Sequence, residues 1–253
     1  MDLSRMTDRR SVMKLIAGVG LVSLVGCASD DDESAASTTA PSTTTTCDTI
    51  PQETAGPFPG DGSNGPNVLT QAGVVRRDIT SSFGSADGMA DGVPLAIKLT
   101  ILDDAMCSAF AGAAVYLWHC DGEGRYSLYS PGVTDENYLR GVQEAAADGT
   151  VTFESIFPGA YSGRWPHIHF EVYRSLDAAA SAKGKVATSQ LALSEDTCRA
   201  VYATSGYEAS VRNLAGTSLA RDNVFRDDLA LHQLGRVTGS VADGYTVSLT
   251  VPV

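Results

Sequence analysis

Short runs of strand-forming residues, each closed by a Gly- or Asp-rich turn, restrict the fold of this chain more than any other feature. The runs cover 93–102 (VPLAIKLTIL), 113–118 (AAVYLW), 150–156 (TVTFESI) and 245–253 (YTVSLTVPV). Asp121-Gly122-Glu123-Gly124, Asp148-Gly149 and Asp243-Gly244 punctuate them. Period-two alternation marks half-buried strands, and Asp-Gly pairs supply the positive φ that tight turns need. A further strand follows from His167, where Phe170, Glu171, Val172 and Tyr173 alternate. One short helix is predicted over 194–204, opening on Ser194 with Glu195 and Asp196 in its first turn. The pattern predicts an all-β chain, a β-sandwich with long loops.

The whole chain has 253 residues, of which 43% are hydrophobic and 19% charged. That is enough for one sizeable core plus tails. The formal net charge is -12, and no basic patch with interleaved aromatics is present, which argues against nucleic-acid binding.

The N-terminal region reads as an address. Arg9 and Arg10, followed by Ser11-Val12-Met13-Lys14, form a twin-arginine pattern ahead of an apolar run over 15–26. The run is too short to span a bilayer and matches a signal-peptide core. It ends at Gly26-Cys27, so residues 1–26 are expected to be removed and Cys27 to carry lipid. Two or more acyl chains hold a protein stably on a membrane surface. Residues 27–46 are rich in Ser, Thr and Asp and are expected to form a disordered tether. The globular domain is therefore expected over 47–253, exported by the twin-arginine route and anchored in the cell envelope.

With Cys27 lipidated, Cys47, Cys107, Cys120 and Cys198 remain. An even count in an exported chain suggests two disulfides, with three possible pairings. The favoured pairing joins Cys107 to Cys120 across the 113–118 strand and Cys47 to Cys198.

His167 and His169 sit at i and i+2 of a strand, so their imidazoles share a face and can grip one metal ion. Tyr161 precedes them by six residues, and Tyr126 follows the Gly124-Arg125 turn, with Tyr129 a rival for its role. A phenol ionises near pH ~10, so a phenolate at neutral pH requires a strong Lewis acid beside it. Two hard phenolates suit trivalent iron better than zinc or copper. His119, His232 and Arg125 are read as a satisfied side chain, a polar-loop residue and a solvated turn charge. Asn137, Tyr138, Leu139 and Arg140 are read as a loop near the mouth of the site.

Four pieces carry a specific resemblance: Trp118-His119-Cys120-Asp121-Gly122-Glu123-Gly124-Arg125-Tyr126, Asp148-Gly149-Thr150-Val151-Thr152-Phe153, Pro158-Gly159-Ala160-Tyr161 and Arg164-Trp165-Pro166-His167-Ile168-His169. In that order, over roughly 54–193, they resemble the core of the intradiol ring-cleavage dioxygenases, which include catechol 1,2-dioxygenase and protocatechuate 3,4-dioxygenase. The resemblance implies a non-haem Fe(III) bound by Tyr126, Tyr161, His167 and His169, with Arg164 as the active-site arginine and Gln190 as the family's glutamine. It implies a substrate with two adjacent aromatic hydroxyls, cleaved between the hydroxylated carbons by O2 to a muconate-type diacid. Tyr161 would be the ligand that leaves the metal and accepts a substrate proton. Tyr161 and His167 lie closer together than in the catechol enzymes, and 175–185 lengthens the gap to Gln190.

Two other readings are weaker. A cell-surface β-sandwich binding module has no need of two tyrosines, two histidines and an arginine together. A cupin site would want a glutamate four to five residues after His169, where Tyr173 and Arg174 stand, and a further histidine beyond.

Overall fold

Alternation decides which side of each strand meets the core. The computed structural model describes residues 47–253; the expected leader over 1–26, Cys27 and the tether over 27–46 lie outside the described residues. Among those described, the chain order is β1 (Pro94–Asp103), β2 (Ser108–Ala109), β3 (Ala114–Trp118), β4 (Arg140–Glu144), β5 (Thr150–Ile156), β6 (His167–Tyr173), β7 (Lys185–Ala192), α1 (Glu195–Tyr202), α2 (Glu208–Ala215), β8 (Arg236–Ser240) and β9 (Gly244–Pro252). One sheet runs β2-β1-β9-β8, with β5 also paired to β1; the other runs β4-β3-β6-β7. The β1–β9 pair is parallel and the other pairings are antiparallel.

Leu95, Ile97, Leu99 and Ile101 of β1 face Val115 and Leu117 of β3 and Ile168, Phe170 and Val172 of β6 across one core. Each such large side chain removed from water contributes about 1.5–3 kcal/mol. This is the expected all-β sandwich. Helix α1 starts after Ser194, as its N-terminal residues predict, but α2 is a second helix that the sequence pattern does not announce.

The outer face of the second sheet is also buried, under the loops before β1 and between β3 and β4. Tyr116, Trp118, Val142 and Tyr173 form a second apolar cluster there. Glu171, His167, His169 and Gln190 are buried in the same layer. The strand register sets Arg140 opposite Trp118, Trp118 opposite His169, and His169 opposite Gln190. One transverse row of the sheet thus carries four of the residues that shape the site.

The cysteine pairing differs from expectation. Cys47 is bonded to Cys107, with Cα atoms 5.4 Å apart, while Cys120 and Cys198 are buried thiols. Residues 47–50 run along the ends of β1 and β9: Cys47 N donates to Asp104 O, and Ile50 N to Pro252 O. That path delivers Cys47 to the β1–β2 turn that holds Cys107. Cys120 is out of reach because β3 belongs to the opposite sheet, so the chain crosses the sandwich between Cys107 and Cys120. Cys198 is enclosed in α1.

Candidate active site

Two turns and one strand bring the four predicted donor side chains together. The first turn is built on Asp121, whose Oδ1 accepts from the backbone N–H groups of Glu123 and Arg125, and whose Oδ2 accepts from Arg125 Nε and Tyr138 OH. An Asp closing its own turn in this way presets the backbone that follows, and Tyr126 emerges from it 2% exposed. The second turn, Pro158-Gly159-Ala160-Tyr161, lies so close to the first that a Cβ on Gly159 would meet Gly122 O at 2.4 Å. Helix α2 fixes its far side, with Ser210 Oγ accepting from Ala160 N and Asn213 Nδ2 donating to Ala160 O. Strand β6 then presents His167 and His169 side by side.

The donor atoms form a continuous chain. Tyr126 Oη lies 3.4 Å from Tyr161 Oη, Tyr161 Oη 3.1 Å from His167 Nε2, and His167 Nε2 3.1 Å from His169 Nε2. His167 Nδ1 donates to Trp165 O at 2.5 Å, which leaves Nε2 as a lone pair facing the cluster. Three neighbours crowd that single lone pair: Tyr161 Oη, His169 Nε2 and, at 3.4 Å, Arg164 Nη1. His169 Nδ1 is buried without a hydrogen-bond partner, its ring stacked on Trp118 at 4.8 Å. As a hydrogen-bond network the set is under-satisfied. As a ligand set it fits: a first-row ion holding N and O donors at about 2.0–2.2 Å spaces neighbouring ligands roughly 3 Å apart. Among the described residues no group of three or more His, Cys, Asp or Glu is placed to hold a metal; this set has two imidazoles and two phenols.

Burial controls the charge states. Desolvation, then the nearby Arg164 charge, pushes His167 down to about 3, and desolvation, then His167, holds His169 well below its ordinary value. Desolvation, then Cys120, pushes Tyr161 up to about 12, and Tyr126 is raised well above 10 by burial and by Tyr161. Without a cation both phenols are neutral at pH 7, so a high positive charge among these four atoms is what would make them ligands.

Arg164 is held on three sides. Its Nε donates to Asp222 Oδ2 at 2.8 Å, and its Nη2 to Gln190 Oε1 at 2.6 Å. Its remaining nitrogen, Nη1, points at the cluster. Gln190 in turn donates from Nε2 to Thr54 O at 2.8 Å. Gln190 thus positions the arginine and ties it to the segment before β1.

That segment supplies a wall. Gly56 has φ +69°, and a Cβ there would sit 3.4 Å from His169 Cε1; Phe58 packs 5.2 Å from the Tyr126 ring. Arg140 clamps the wall. It is 1% exposed, and its guanidinium donates to Phe58 O, Pro59 O, Ser127 O, Ser127 Oγ and Tyr116 OH. Arg140 therefore belongs to a strand and not to the loop expected at the mouth. Asp222 is the other participant missed by the sequence reading: it meets Arg164 from 58 residues away, and no local signal marks it.

The remaining assignments follow the geometry. Tyr129 is not a rival, because its hydroxyl accepts from Gly60 N and donates to Asn64 O. His119 is satisfied by Cys120 O and Ser155 Oγ. Arg125 pairs with Asp121 and Glu123, and His232 is exposed.

Comparison with known proteins adds the kinship. A family model described as Dioxygenase matches residues 64–198, just over half of the chain. A chlorocatechol 1,2-dioxygenase from Rhodococcus opacus is 38% identical over 58 residues, a stretch that spans 23% of this chain and only 23% of that relative. Among solved structures, an intradiol ring-cleavage dioxygenase from Tetranychus urticae superposes with a TM-score of 0.65 at 24% identity, over 81% of this chain and 94% of the other. The dioxygenase domain of a dioxygenase carbohydrate-binding protein fusion from Streptomyces sp. SirexAA-E gives 0.52 at 22% identity, over 81% and 98%. At these identities the superpositions speak for the fold.

Proposed function

Because the chain belongs to the intradiol ring-cleavage dioxygenase family, we propose that it is an Fe(III)-dependent enzyme that cleaves a catechol-type ring between its two hydroxylated carbons with O2. The observation that carries this reading is the convergence of Tyr126, Tyr161, His167 and His169, with successive donor atoms 3.1–3.4 Å apart. Ferric iron bound there would supply Lewis acidity toward the phenols and a vicinal diol, and an electronic route from the diol to O2.

The residues divide the remaining work by their burial. Tyr126 is sealed beneath Phe58 and would remain a permanent ligand. Tyr161 is half-exposed, with its hydroxyl against Tyr126 and His167, and would take up a proton from an arriving diol as a general base. Arg164 Nη1, already oriented by Asp222 and Gln190, would face negative charge that develops on the diol, at no cost in reorganisation. We further propose that residues 1–26 export the protein by the twin-arginine route, and that lipid on Cys27 anchors it outside the cytoplasm, the domain over 47–253 standing off on the 27–46 tether.

The test is a visible spectrum of the iron-loaded domain, before and after anaerobic catechol. A tyrosinate-to-iron charge-transfer band that moves to longer wavelength with catechol, and is weakened by Tyr161→Phe, is expected. A protein that stays colourless with ferric iron would overturn the reading and favour a non-catalytic binding module.

A further inference from the structure

Arg164 is the cation that faces the donor cluster, and it is already neutralised. Its Nε is paired with Asp222, whose side chain is fully buried, and its Nη2 is taken by Gln190. Arg140 is engaged with carbonyl and hydroxyl oxygens throughout. The guanidinium nitrogen that remains, Arg164 Nη1, points at His167 and so at the reacting hydroxyls, which leaves no guanidinium for an anionic ring substituent.

The mouth adds charge of the opposite sign. Tyr126, His167 and His169 are buried, whereas Tyr161, Arg164, Gly56 and Phe58 are half-exposed, so the opening lies among these segments and the stretch that follows Phe225. Phe225 packs beneath the Arg164 guanidinium at 5.9 Å and beside His167 at 6.4 Å, and the exposed Asp227 and half-exposed Asp228 follow it two and three residues on. Glu53 reaches the same rim from the other side: Gln233 Nε2 donates both to Glu53 Oε1 and to Gln190 O. Burial raises the Glu53 pKa, the Gln233 hydrogen bond lowers it, and Asp227 and Asp228 raise it again, so Glu53 lies near enough to both aspartates to feel their charge. With the Arg164–Asp222 pair set aside, Glu53, Asp227 and Asp228 outnumber the exposed Arg226.

Resting on the dioxygenase reading, we infer that this site selects catechols whose ring substituent is uncharged or cationic and discriminates against catechol carboxylates. The wall suits the same class, since the half-exposed Phe58 offers an apolar or cation-attracting surface to a substituent. A ring carboxylate would have to shed water beside unpaired negative charge, with no cation to replace that water.

The experiment is oxygen uptake by the iron-loaded enzyme at pH 7 with 4-methylcatechol, dopamine and protocatechuate, at low and high salt. Expected is a kcat/KM for protocatechuate about tenfold or more below that of 4-methylcatechol, dopamine equal or better, and a gap that narrows as salt screens the rim. The doubly neutralised variant Asp227→Asn, Asp228→Asn should reduce the dopamine-to-protocatechuate ratio several-fold, a change that a loss of fold or iron would not produce. Protocatechuate equal to or better than 4-methylcatechol, or a ratio unmoved by both salt and variant, would overturn the charge selection alone. Turnover of none of the three diols, with no anaerobic colour change, would overturn the dioxygenase reading and the inference together.

Discussion

Strand β6 has two faces that are equally dry and chemically opposite. Ile168, Phe170 and Val172 lie at 0% exposure against the first sheet, while His167, His169, Glu171 and Tyr173 lie at 0–3% against loops. The apolar face gains free energy by leaving water, and its register is fixed because a one-residue slip would exchange the two sets. The polar face must recover by hydrogen bonds or ion pairs what it loses in hydration. It does so completely at Glu171, with Lys185 Nζ at 2.8 Å and Tyr173 OH at 2.6 Å, and incompletely at His169. The difference teaches where stability is made and where chemistry is held in reserve: the under-satisfied end of the polar face is the proposed iron site.

The largest effects should separate the faces cleanly. His169→Ala is expected to abolish turnover and the visible band, with a smaller change in the urea midpoint of the iron-free protein than a core truncation gives, because the unpartnered nitrogen offsets part of what the ring's stacking on Trp118 contributes. Phe170→Ala, one residue along, should do the reverse. It should destabilise the iron-free fold by about 3–5 kcal/mol while turnover per folded molecule persists at low temperature. A large stability loss from His169→Ala, or an intact midpoint in Phe170→Ala, would erase the contrast.

A smaller effect sharpens it at the satisfied end. Lys185 is 29% exposed and serves two buried carboxylates, Glu171 at 2.8 Å and Asp61 at 3.7 Å. Lys185→Met should cost about 2 kcal/mol near pH 7, less than a fully buried pair because water reaches the lysine. Burial already raises the Glu171 pKa, with Lys185 and Tyr173 lowering it in part, and removing the lysine raises it further. A carboxyl whose folded pKa exceeds its unfolded one loses stability as pH rises through the folded value. The deficit of the variant should therefore be full above that value and shrink as pH falls toward the ordinary 4.5. Unfolding curves across pH 4–8 decide this, and a deficit constant over that range would refute it.

How much of this was legible in the sequence follows from how local each signal is. Strand β5 occupies 150–156 as its alternation requires, and the histidine pair falls on one face because i and i+2 always do. Strand β4 (RGVQE) was hidden, since it is short and follows Leu139 at φ 56°, a conformation that no residue pattern announces. Helix α2 escaped because Ser210 and Asn213 are weak helix formers, and their side chains instead hold Ala160 in place. The cysteine pairing failed for a topological reason: nearness in sequence says nothing once consecutive strands join opposite sheets. Asp222 illustrates the limit, being an ordinary aspartate until the fold sets it against Arg164.

The smallest test asks whether Glu171 is held by a pair of donors or by two independent ones. Tyr173→Phe deletes only the hydroxyl that donates to Glu171 Oε2 and keeps the ring in its apolar cluster. Its cost should be about 1 kcal/mol, the net value of one such bond. Lys185 donates to the other oxygen of the same carboxylate, so the two losses should not add. With Lys185 gone, the ionised carboxylate leans on the tyrosine alone, so Tyr173→Phe costs more in that background. A double-mutant cycle at pH 7 should show a coupling of about 0.5 kcal/mol or more, which shrinks as pH falls toward 4, where the raised pKa leaves Glu171 increasingly protonated. Strict additivity at both pH values would mean that the polar face is stabilised bond by bond, as the apolar face is side chain by side chain, and the contrast between them would then rest on the iron site alone.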